Sequence, residues 1–600
     1  MLGKILFLLS RREKRRGALV LGMVIVMALL ETAGVASVMP FLSVLSNPGV
    51  VESNPLLRRL YAMLGVESVD TFLVVLGASV FCLLIFSALF RTVTHFAMNR
   101  FIEMRRHSVS ARLLETYLRQ PYAFFLDRHS GDMAKNILSE VDQLVARVFR
   151  PAMLLVAYSV VVVSIVALLV VVSPVLAGIV ALAIGSMYGL IYVAVRTPLG
   201  KIGRERARAN QERFEAAGEA LGGIKDIKLL GRENAYLQRF LRPSITQARN
   251  QSTTQTLAEV PKFLIEAVAM GGIIALTLGL MAIHGGVEGD GLGQVLPVLG
   301  LYALAAYRML PAANHIYGGA ARMRFGEAAL DSAYNDLRYR AELCEIRGRM
   351  PAPMRPRYEV ALDRISFTYP NATQPALEEI ALTIPVGSSV GLVGSTGAGK
   401  TTLVDVLLGL LRPTEGALRV DGEPVTESNL RAWQGALGYV PQDIFLTDST
   451  VTENIALGVP PAQIDHEQVE RCARMAQVHD FIIRDMPDQY ETMVGERGVR
   501  LSGGQRQRIG IARALYHDPS VLVFDEATSA LDSVTEKAVM RAINDLHHEK
   551  TIILIAHRLT TVEHCDQVVL LEHGAVVARG GFEALRASSE KFREMAGARV

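Results

Sequence analysis

Six stretches of the chain are nearly unbroken runs of apolar positions: residues 18–43, 72–97, 148–172, 174–195, 263–283 and 293–311. Each reaches the roughly 20 residues that a helix needs to cross the hydrocarbon of a bilayer. Residues 98–147 and 196–262 are too polar for lipid, yet keep helical spacing until RQPYAFFLDRHSGD at 119–132 and LGGIKDIKLLGREN at 221–234. That pattern predicts two helical hairpins outside the membrane, each with a short apolar element at its tip. Tyr122, Phe124 and Phe125 beside Pro121 fit a docking surface and equally a self-packed turn. After RGRMPAPMRPR at 347–357 the pattern changes to short β-rich runs alternating with helices, which marks a domain boundary. The expected architecture is an α-helical, six-span transmembrane domain over 1–345, a linker over 346–357, and an α/β domain over 358–600.

Charge orients the spans. Lys4, Arg11, Arg12, Lys14, Arg15 and Arg16 precede the first, and both long polar segments are rich in Arg and Lys. The turn at Ser173 and Pro174 is uncharged, and HGGVEGDGLG carries only Glu288 and Asp290. Basic flanks stay in the cytoplasm, so both chain ends are expected there. KILFLLSRREKRRG, which mixes apolar and basic positions, predicts a helix lying on the inner leaflet. The first span does not read as a cleaved signal, because its apolar run is too long, contains Glu31 and lacks a small-residue cleavage pattern. An apolar content of 50% fits a chain partly in lipid, and a net charge of +3 gives no argument for nucleic acid as a partner. The cysteines, Cys82, Cys344, Cys472 and Cys565, have neither metal-ligand nor pairing spacing, so no zinc and no disulfide is expected.

Chemistry is concentrated in the second half. VGLVGSTGAGKTTLVDVLLGLL reads as strand, glycine loop and helix in order, the setting a phosphate-binding P-loop requires. Gly394, Gly397 and Gly399, with Ser395, Thr396 and Ala398 between them, let backbone N–H groups turn towards phosphates at the positive end of a helix. Lys400 adds a point charge, and the Thr401 hydroxyl, followed by Thr402, can ligate Mg²⁺. SVLVFDEATSALDS at 520–533 is an apolar run ending in two carboxylates: Asp525 suits Mg²⁺ and Glu526 can take a proton from an attacking water, unless the pair is a solvated turn. TIILIAHRL ends in His557, which would sense a γ-phosphate or be structural. Tyr369, in ISFTYPN, offers a face for adenine or a packing surface, and Gln442, in LGYVPQDIFL, an amide for Mg²⁺ or water. The domain is therefore read as a P-loop ATPase with ATP and Mg²⁺ as cofactors.

LSGGQRQRIGIARAL at 501–515 is a second glycine-rich helix start, in which Ser502, Gly503, Gly504 and Gln505 make another anion cradle. One nucleotide's phosphates cannot fill both cradles, so the second serves another nucleotide. In their order and spacing GSTGAGKT, PQD, LSGGQ, VLVFDE, SALD and AHR resemble the nucleotide-binding domain of ATP-binding cassette transporters, over about residues 358–590. The resemblance implies two such domains facing head to tail, with each ATP held between the P-loop of one and the LSGGQ of the other. It implies a homodimer, or a pairing with a related half-transporter. It also implies Glu526 as general base, Asp532 in a loop crossing to the partner, His557 as switch histidine, and VGERG at 494–498 as a loop of the exporter kind. Phe582 stands where many members have a histidine, a departure without evident consequence.

A membrane region preceding the cassette on one chain resembles exporters and flippases of a bacterial inner membrane, with the hairpin tips as coupling helices. Closing the ATP sandwich would draw the tips together and open the membrane half outward. Arg91, Lys262 and Arg308 are costly in lipid unless they face a wet cavity, where they would bind an anionic group such as phosphate; otherwise they snorkel or pair locally, as Lys262 with Glu266. Glu31 is expected to bond within the bundle. LLETAGVASVMPFLSVL, NPLLRRLYAMLGV at 54–66 and GGIKDIKLLG resemble bacterial lipid-linked oligosaccharide flippases, in which a short external helix precedes the second span. Residues 55–65 have amphipathic spacing for it, with Leu56, Leu57, Leu60 and Leu64 on one side and Arg58 and Arg59 off it. The expected function is ATP-driven translocation of an anionic lipid-linked oligosaccharide of the polyprenyl-pyrophosphate type. Export of drugs or ordinary lipids, and an ATP-gated channel or regulator, are the other readings.

Overall fold

The computed structural model describes residues 1–66, 68–126, 128, 130–283, 291–338, 351–370, 372–495, 498, 501–526, 536, 549–556 and 558–597. The chain divides into two compact units: Met1–Gln120 with Asp127–Cys344, and Pro121–Leu126 with Glu345–Val600.

The first unit is helical. After a short helix, Leu2–Leu8, come α1 (Arg11–Ser46), α2 (Val69–Leu118), α3 (Arg150–Val172), α4 (Pro174–Gly222), α5 (Glu233–Ile283), α6 (Gly291–Phe325) and α7 (Glu327–Arg338). Local chemistry sets several boundaries. Ser10 Oγ accepts the Glu13 amide at 3.3 Å while the Glu13 carboxylate accepts the Ser10 amide at 2.8 Å, a reciprocal cap that opens α1. Ser68 caps α2 through the Thr71 amide at 3.2 Å, and Ser173 breaks α3 from α4 with Pro174 in the first helical position. Among the described residues, the helical stretches Arg11–Ser46, Val69–Leu118 and Gly131–Val172 are long and apolar enough to cross a membrane. The helices α4, α5 and α6 run through the other three apolar windows of the sequence.

Met27 and Val35 of α1, Val161, Ile165 and Leu169 of α3, and Leu301, Ala305 and Met309 of α6 form one apolar core. A second joins Ile5 and Leu8 to Ile102, Val109 and Leu113 of α2, to Leu144 and Val148, and to Leu330 of α7. Two π-helical turns, Asn136–Glu140 and Val145–Phe149, precede α3. The first contains Glu140, which meets α4: Arg206 Nη2 donates to Glu140 Oε2 at 2.9 Å and Asn210 Nδ2 to Oε1 at 3.1 Å, all three residues being buried. A buried carboxylate is tolerable only with such partners. One turn before Arg206, Gly203 lets α6 approach, since a Cβ there would stand 2.3 Å from the Phe325 carbonyl oxygen.

The short helix expected near residue 55 is present as Pro55–Leu64, capped by Asn54, whose side chain accepts the Leu56 amide at 3.0 Å. Its apolar stripe is wider than its packing contact. Leu57 is buried beside Val44, Val51 and Phe72, and Tyr61 sets its ring edge-on to Phe72 at 5.2 Å, whereas Leu56, Leu60, Met63 and Leu64 are exposed. At the second hairpin tip, the helix Ile224–Leu230 buries Ile227 and exposes Leu229 and Leu230.

The second unit carries two sheets. The strands β1 (Glu359–Phe367), β2 (Leu377–Pro385), β4 (Glu415–Val420) and β5 (Glu423–Pro424) pair antiparallel in the order β2-β1-β4-β5. The other sheet runs β10-β9-β3-β8-β7-β6, from β3 (Ser389–Val393), β6 (Leu437–Val440), β7 (Val521–Asp525), β8 (Thr551–Ile555), β9 (Gln567–Glu572) and β10 (Ala575–Gly580). All its neighbours are parallel except β9 and β10. Strands β3, β7 and β8 are buried at every position, as apolar runs covered on both faces should be. Parallel pairing sends the carboxyl ends of β3, β6, β7 and β8 to one edge of the sheet, where α/β folds place their ligands.

Candidate nucleotide site

The loop that follows β3 cannot be built from ordinary residues. At Gly394 a Cβ would lie 2.3 Å from the Leu571 carbonyl oxygen, and Gly399 sits at φ 98 immediately before α8 (Lys400–Leu407). Ser395, Thr396 and Gly397 are exposed at the mouth of the loop, Ala398 and Thr402 are buried, and Thr401 is exposed. The Lys400 ammonium is buried under this loop and donates to the carbonyls of Gly394 at 2.7 Å and Ser395 at 3.0 Å. Burial lowers its pKa from the ordinary lysine value, and the charges of Glu526 and Asp525 oppose that shift. These carboxylates are therefore the electrostatic neighbours of the P-loop lysine, as their position at the end of β7 requires.

Glu526 leaves the strand in the left-handed region at φ 50, with its amide donating to the Ile555 carbonyl of β8 at 3.1 Å. That turn brings its carboxylate to Gln442, whose Nε2 donates to Glu526 Oε2 at 2.8 Å. The expected pair of water-handling groups is thus in contact. Tyr369 donates or accepts at Thr402 Oγ1, 3.0 Å away, and lies edge-on to Phe367 at 4.9 Å, so its ring is placed beside the P-loop helix. Ser502 caps α9 (Gly503–Leu515): its Oγ accepts the Gln505 amide at 3.2 Å, and Gln505 Oε1 accepts the Ser502 amide at 2.8 Å. His557 and Asp532 lie outside the described residues.

Three residues here carried no signal in the sequence. Asp405, on α8, titrates at about 6, raised first by burial and then by the charge of Asp525. Tyr439 of β6 donates to Asp525 Oδ2 at 3.4 Å, and its phenol is held above the usual range by burial and by Asp525 and Asp405. Arg513 of α9 donates from Nε and Nη2 to the Asn454 carbonyl and Oδ1, at 2.8 and 3.2 Å, and from Nη1 to the Phe445 carbonyl at 2.7 Å. Burial brings this guanidinium down to about 10.

The donor set fits Mg²⁺. Thr401, Asp525 and Gln442 offer hydroxyl, carboxylate and carboxamide oxygens, the hard donors such a cation takes a few at a time alongside nucleotide phosphates. The repulsion between Asp525 and Asp405 marks a place where added positive charge is favoured. Tyr122 belongs to the same unit: Ala123 packs against its core, and burial followed by the charge of Asp405 raises the Tyr122 phenol.

Of the residues expected to bind an anionic cargo group, Arg91 Nη1 reaches Glu31 Oε1 at 3.5 Å, and Lys262 lies 3.9 Å from Glu266, one turn along its own helix. Glu31 is buried and does bond within the bundle, while the Arg91 side chain is 45% exposed. Arg308 is half-buried.

Comparison with known proteins agrees with this geometry. The family model described as ABC transporter transmembrane region matches residues 23–279, and the one described as ABC transporter matches 377–529. An ATP-dependent lipid A-core flippase of Alkalilimnicola ehrlichii is 32% identical over 82% of this chain and 82% of its own, and one of Cupriavidus metallidurans 31% identical over 84% of each. A probable multidrug resistance ABC transporter ATP-binding/permease protein of Bacillus subtilis is 38% identical over 45% of this chain and 46% of its own. A solved bacterial Atm1-family ABC exporter with ATP bound superposes with a TM-score of 0.78 over 98% of both chains at 23% identity, which speaks to the fold. A helical membrane domain fused to a P-loop ATPase with mixed sheets, matched along most of its length by whole transporters, belongs to the ABC transporter family, as an exporter half-transporter that couples ATP hydrolysis to transport.

Proposed function

We propose that the chain is a flippase for an anionic, saccharide-bearing lipid of the polyprenyl-pyrophosphate type, acting as a homodimer in a bacterial inner membrane. The helices α1 to α6 would supply six spans, with both termini cytoplasmic. The observation that carries the cargo assignment is the Arg91–Glu31 pair. A guanidinium has five N–H donors, and a 3.5 Å approach to one carboxylate oxygen uses at most one of them at the edge of bonding range. The half-exposed remainder suits phosphate oxygens. Lys262, already paired along its helix, and Arg308 would line the same route.

In the ATPase domain the proposed roles are Tyr369 for adenine, Gly394 to Thr402 for phosphates, and Thr401, Gln442 and Asp525 for Mg²⁺. Glu526 would act as general base, His557 as γ-phosphate switch, and Ser502 to Gln505 with Asp532 would complete the partner's site. Bound Mg²⁺ would stabilise charge on the transferred phosphoryl group. This chain's own part would be to hold a water beside the bonded Glu526–Gln442 pair, orient it, and accept its proton on the Glu526 carboxylate.

Two experiments test the reading. In reconstituted vesicles a polyprenyl-diphosphate oligosaccharide should stimulate ATP hydrolysis, and Arg91→Ala or Arg308→Ala should abolish the stimulation while sparing basal hydrolysis. Unchanged stimulation in both variants would refute the cargo assignment. Export of apolar drugs is the second reading, favoured by the multidrug resistance relative, and it predicts stimulation by hydrophobic dyes without need of either arginine. For the dimer, Lys400→Ala and Ser502→Ala chains should each be inactive alone, yet regain activity when mixed and reassembled, because half of the hybrid's composite sites are intact. No recovery would rule out sites shared between copies.

A further inference from the structure

We propose that the basic start of α1 is a binding surface for the headgroups of anionic phospholipids, and that its occupancy raises ATP hydrolysis. Arg11, Arg12, Lys14, Arg15 and Arg16 are all exposed, and they stand directly before the apolar run that begins at Gly17 and Ala18. The acid among them, Glu13, is 8% exposed: it is turned inward, capped onto the Ser10 amide and paired with the buried Arg105 of α2. Exposed charge on this turn is therefore wholly positive. The preceding helix adds apolar contact at the same level, with Leu2, Leu6 and Phe7 exposed while Ile5 and Leu8 are packed into the core. Side chains that bury in acyl chains beside a cluster of five cations match a negatively charged leaflet.

This surface is fastened to the rest of the unit. Arg112 Nη1 of α2 donates to the Leu8 carbonyl at 2.7 Å, Lys4 Nζ pairs with Asp331 of α7 at 2.7 Å, and Phe7 lies edge-on to Tyr334 of α7 at 5.0 Å. The chain continues from α7 towards the ATPase domain, so headgroups that fix the Leu2–Leu8 helix also fix the last described helix before it. The inference assumes the cytoplasmic placement of this end and no particular cargo. Basal hydrolysis measured without cargo therefore tests it apart from the flippase assignment.

The test compares basal ATPase activity of the full-length protein in vesicles of phosphatidylcholine alone with vesicles in which part of it is replaced by phosphatidylglycerol. The native protein should be stimulated by the anionic lipid, and the stimulation should fade as salt is raised, because exposed charges are screened within about 10 Å at 0.1 M. Replacing the five basic residues by Gln should remove the stimulation while leaving the rate in phosphatidylcholine unchanged. If that variant does not fold, replacing the four arginines by Lys should keep the stimulation, which depends on charge and not on guanidinium shape. Equal rates in the two lipids for the native protein, as expected if the cluster served only to orient the first span during insertion, would overturn the proposal. Stimulation that survives the Gln substitutions would overturn it too.

Discussion

Replacing Asp405 by Asn should stabilise the ATPase domain, and do so in a pH-dependent way. Asp405 titrates at about 6 in the folded chain, against an ordinary 3.8, because burial and then Asp525 disfavour its charge. The folded state therefore binds this proton more tightly than the unfolded chain, and the advantage is lost as pH rises from 3.8 through 6. A difference of about two pH units corresponds to about 3 kcal/mol above that range, reduced to about 1–2 kcal/mol once residual solvent screening is allowed for. Asn resembles the protonated carboxyl, so Asp405→Asn should gain that amount near about pH 8 and roughly half of it near pH 5. For a domain of this size the gain corresponds to an upward shift of about 2–8 °C in melting temperature. Trp433, the sole tryptophan, provides the assay: it is fully buried in the same core as Leu403 and Leu407 of α8, and its indole N–H donates to the Leu407 carbonyl at 2.8 Å. Its fluorescence in the purified full chain, heated without nucleotide and with chelator, reports unfolding around Asp405. A variant that melts lower than the native protein, or gains equally at both pH values, would refute the electrostatic account.

Glu526→Gln should lower the turnover of ATP by about 10²- to 10⁴-fold with little change in nucleotide affinity, measured by single-turnover hydrolysis beside equilibrium binding. Arg206→Ala leaves the Glu140 carboxylate buried with only Asn210 as its described side-chain amide donor, and should destabilise the first unit by about 3–5 kcal/mol; joint replacement of Arg206 and Glu140 by Met should recover much of the loss, as read from detergent-solubilised thermal stability. Gly203→Val should reduce the yield of folded protein on size-exclusion chromatography, because even a Cβ would meet the Phe325 carbonyl at 2.3 Å and that atom is backbone.

The catalytic edge of the ATPase domain was legible because its parts are sequential: an apolar strand must end somewhere, and here it ends in a glycine loop after β3, in Gln442 after β6 and in carboxylates after β7. The contact of Gln442 with Glu526 was not legible, since it depends on β6 and β7 being neighbours across 84 residues and on a left-handed turn at Glu526 that no residue preference announces. The same holds for Asp405 and Tyr439, which become a cluster with Asp525 only once a helix and two strands are assembled. In the membrane unit the cost of an isolated charge in lipid pointed to Glu31 and Arg91 separately, but their pairing across 60 residues is tertiary. Arg513 shows what such unannounced contacts achieve. Its three hydrogen bonds tie α9, whose first turn the sequence marks as a second anion cradle, to Phe445 and Asn454 just beyond Gln442. Because the guanidinium is half-buried, separating the two would leave a charge without these partners in a site that already disfavours it. The segment that touches Glu526 and the helix that begins at Ser502 are therefore fastened to each other, so that displacing one without the other would break these bonds.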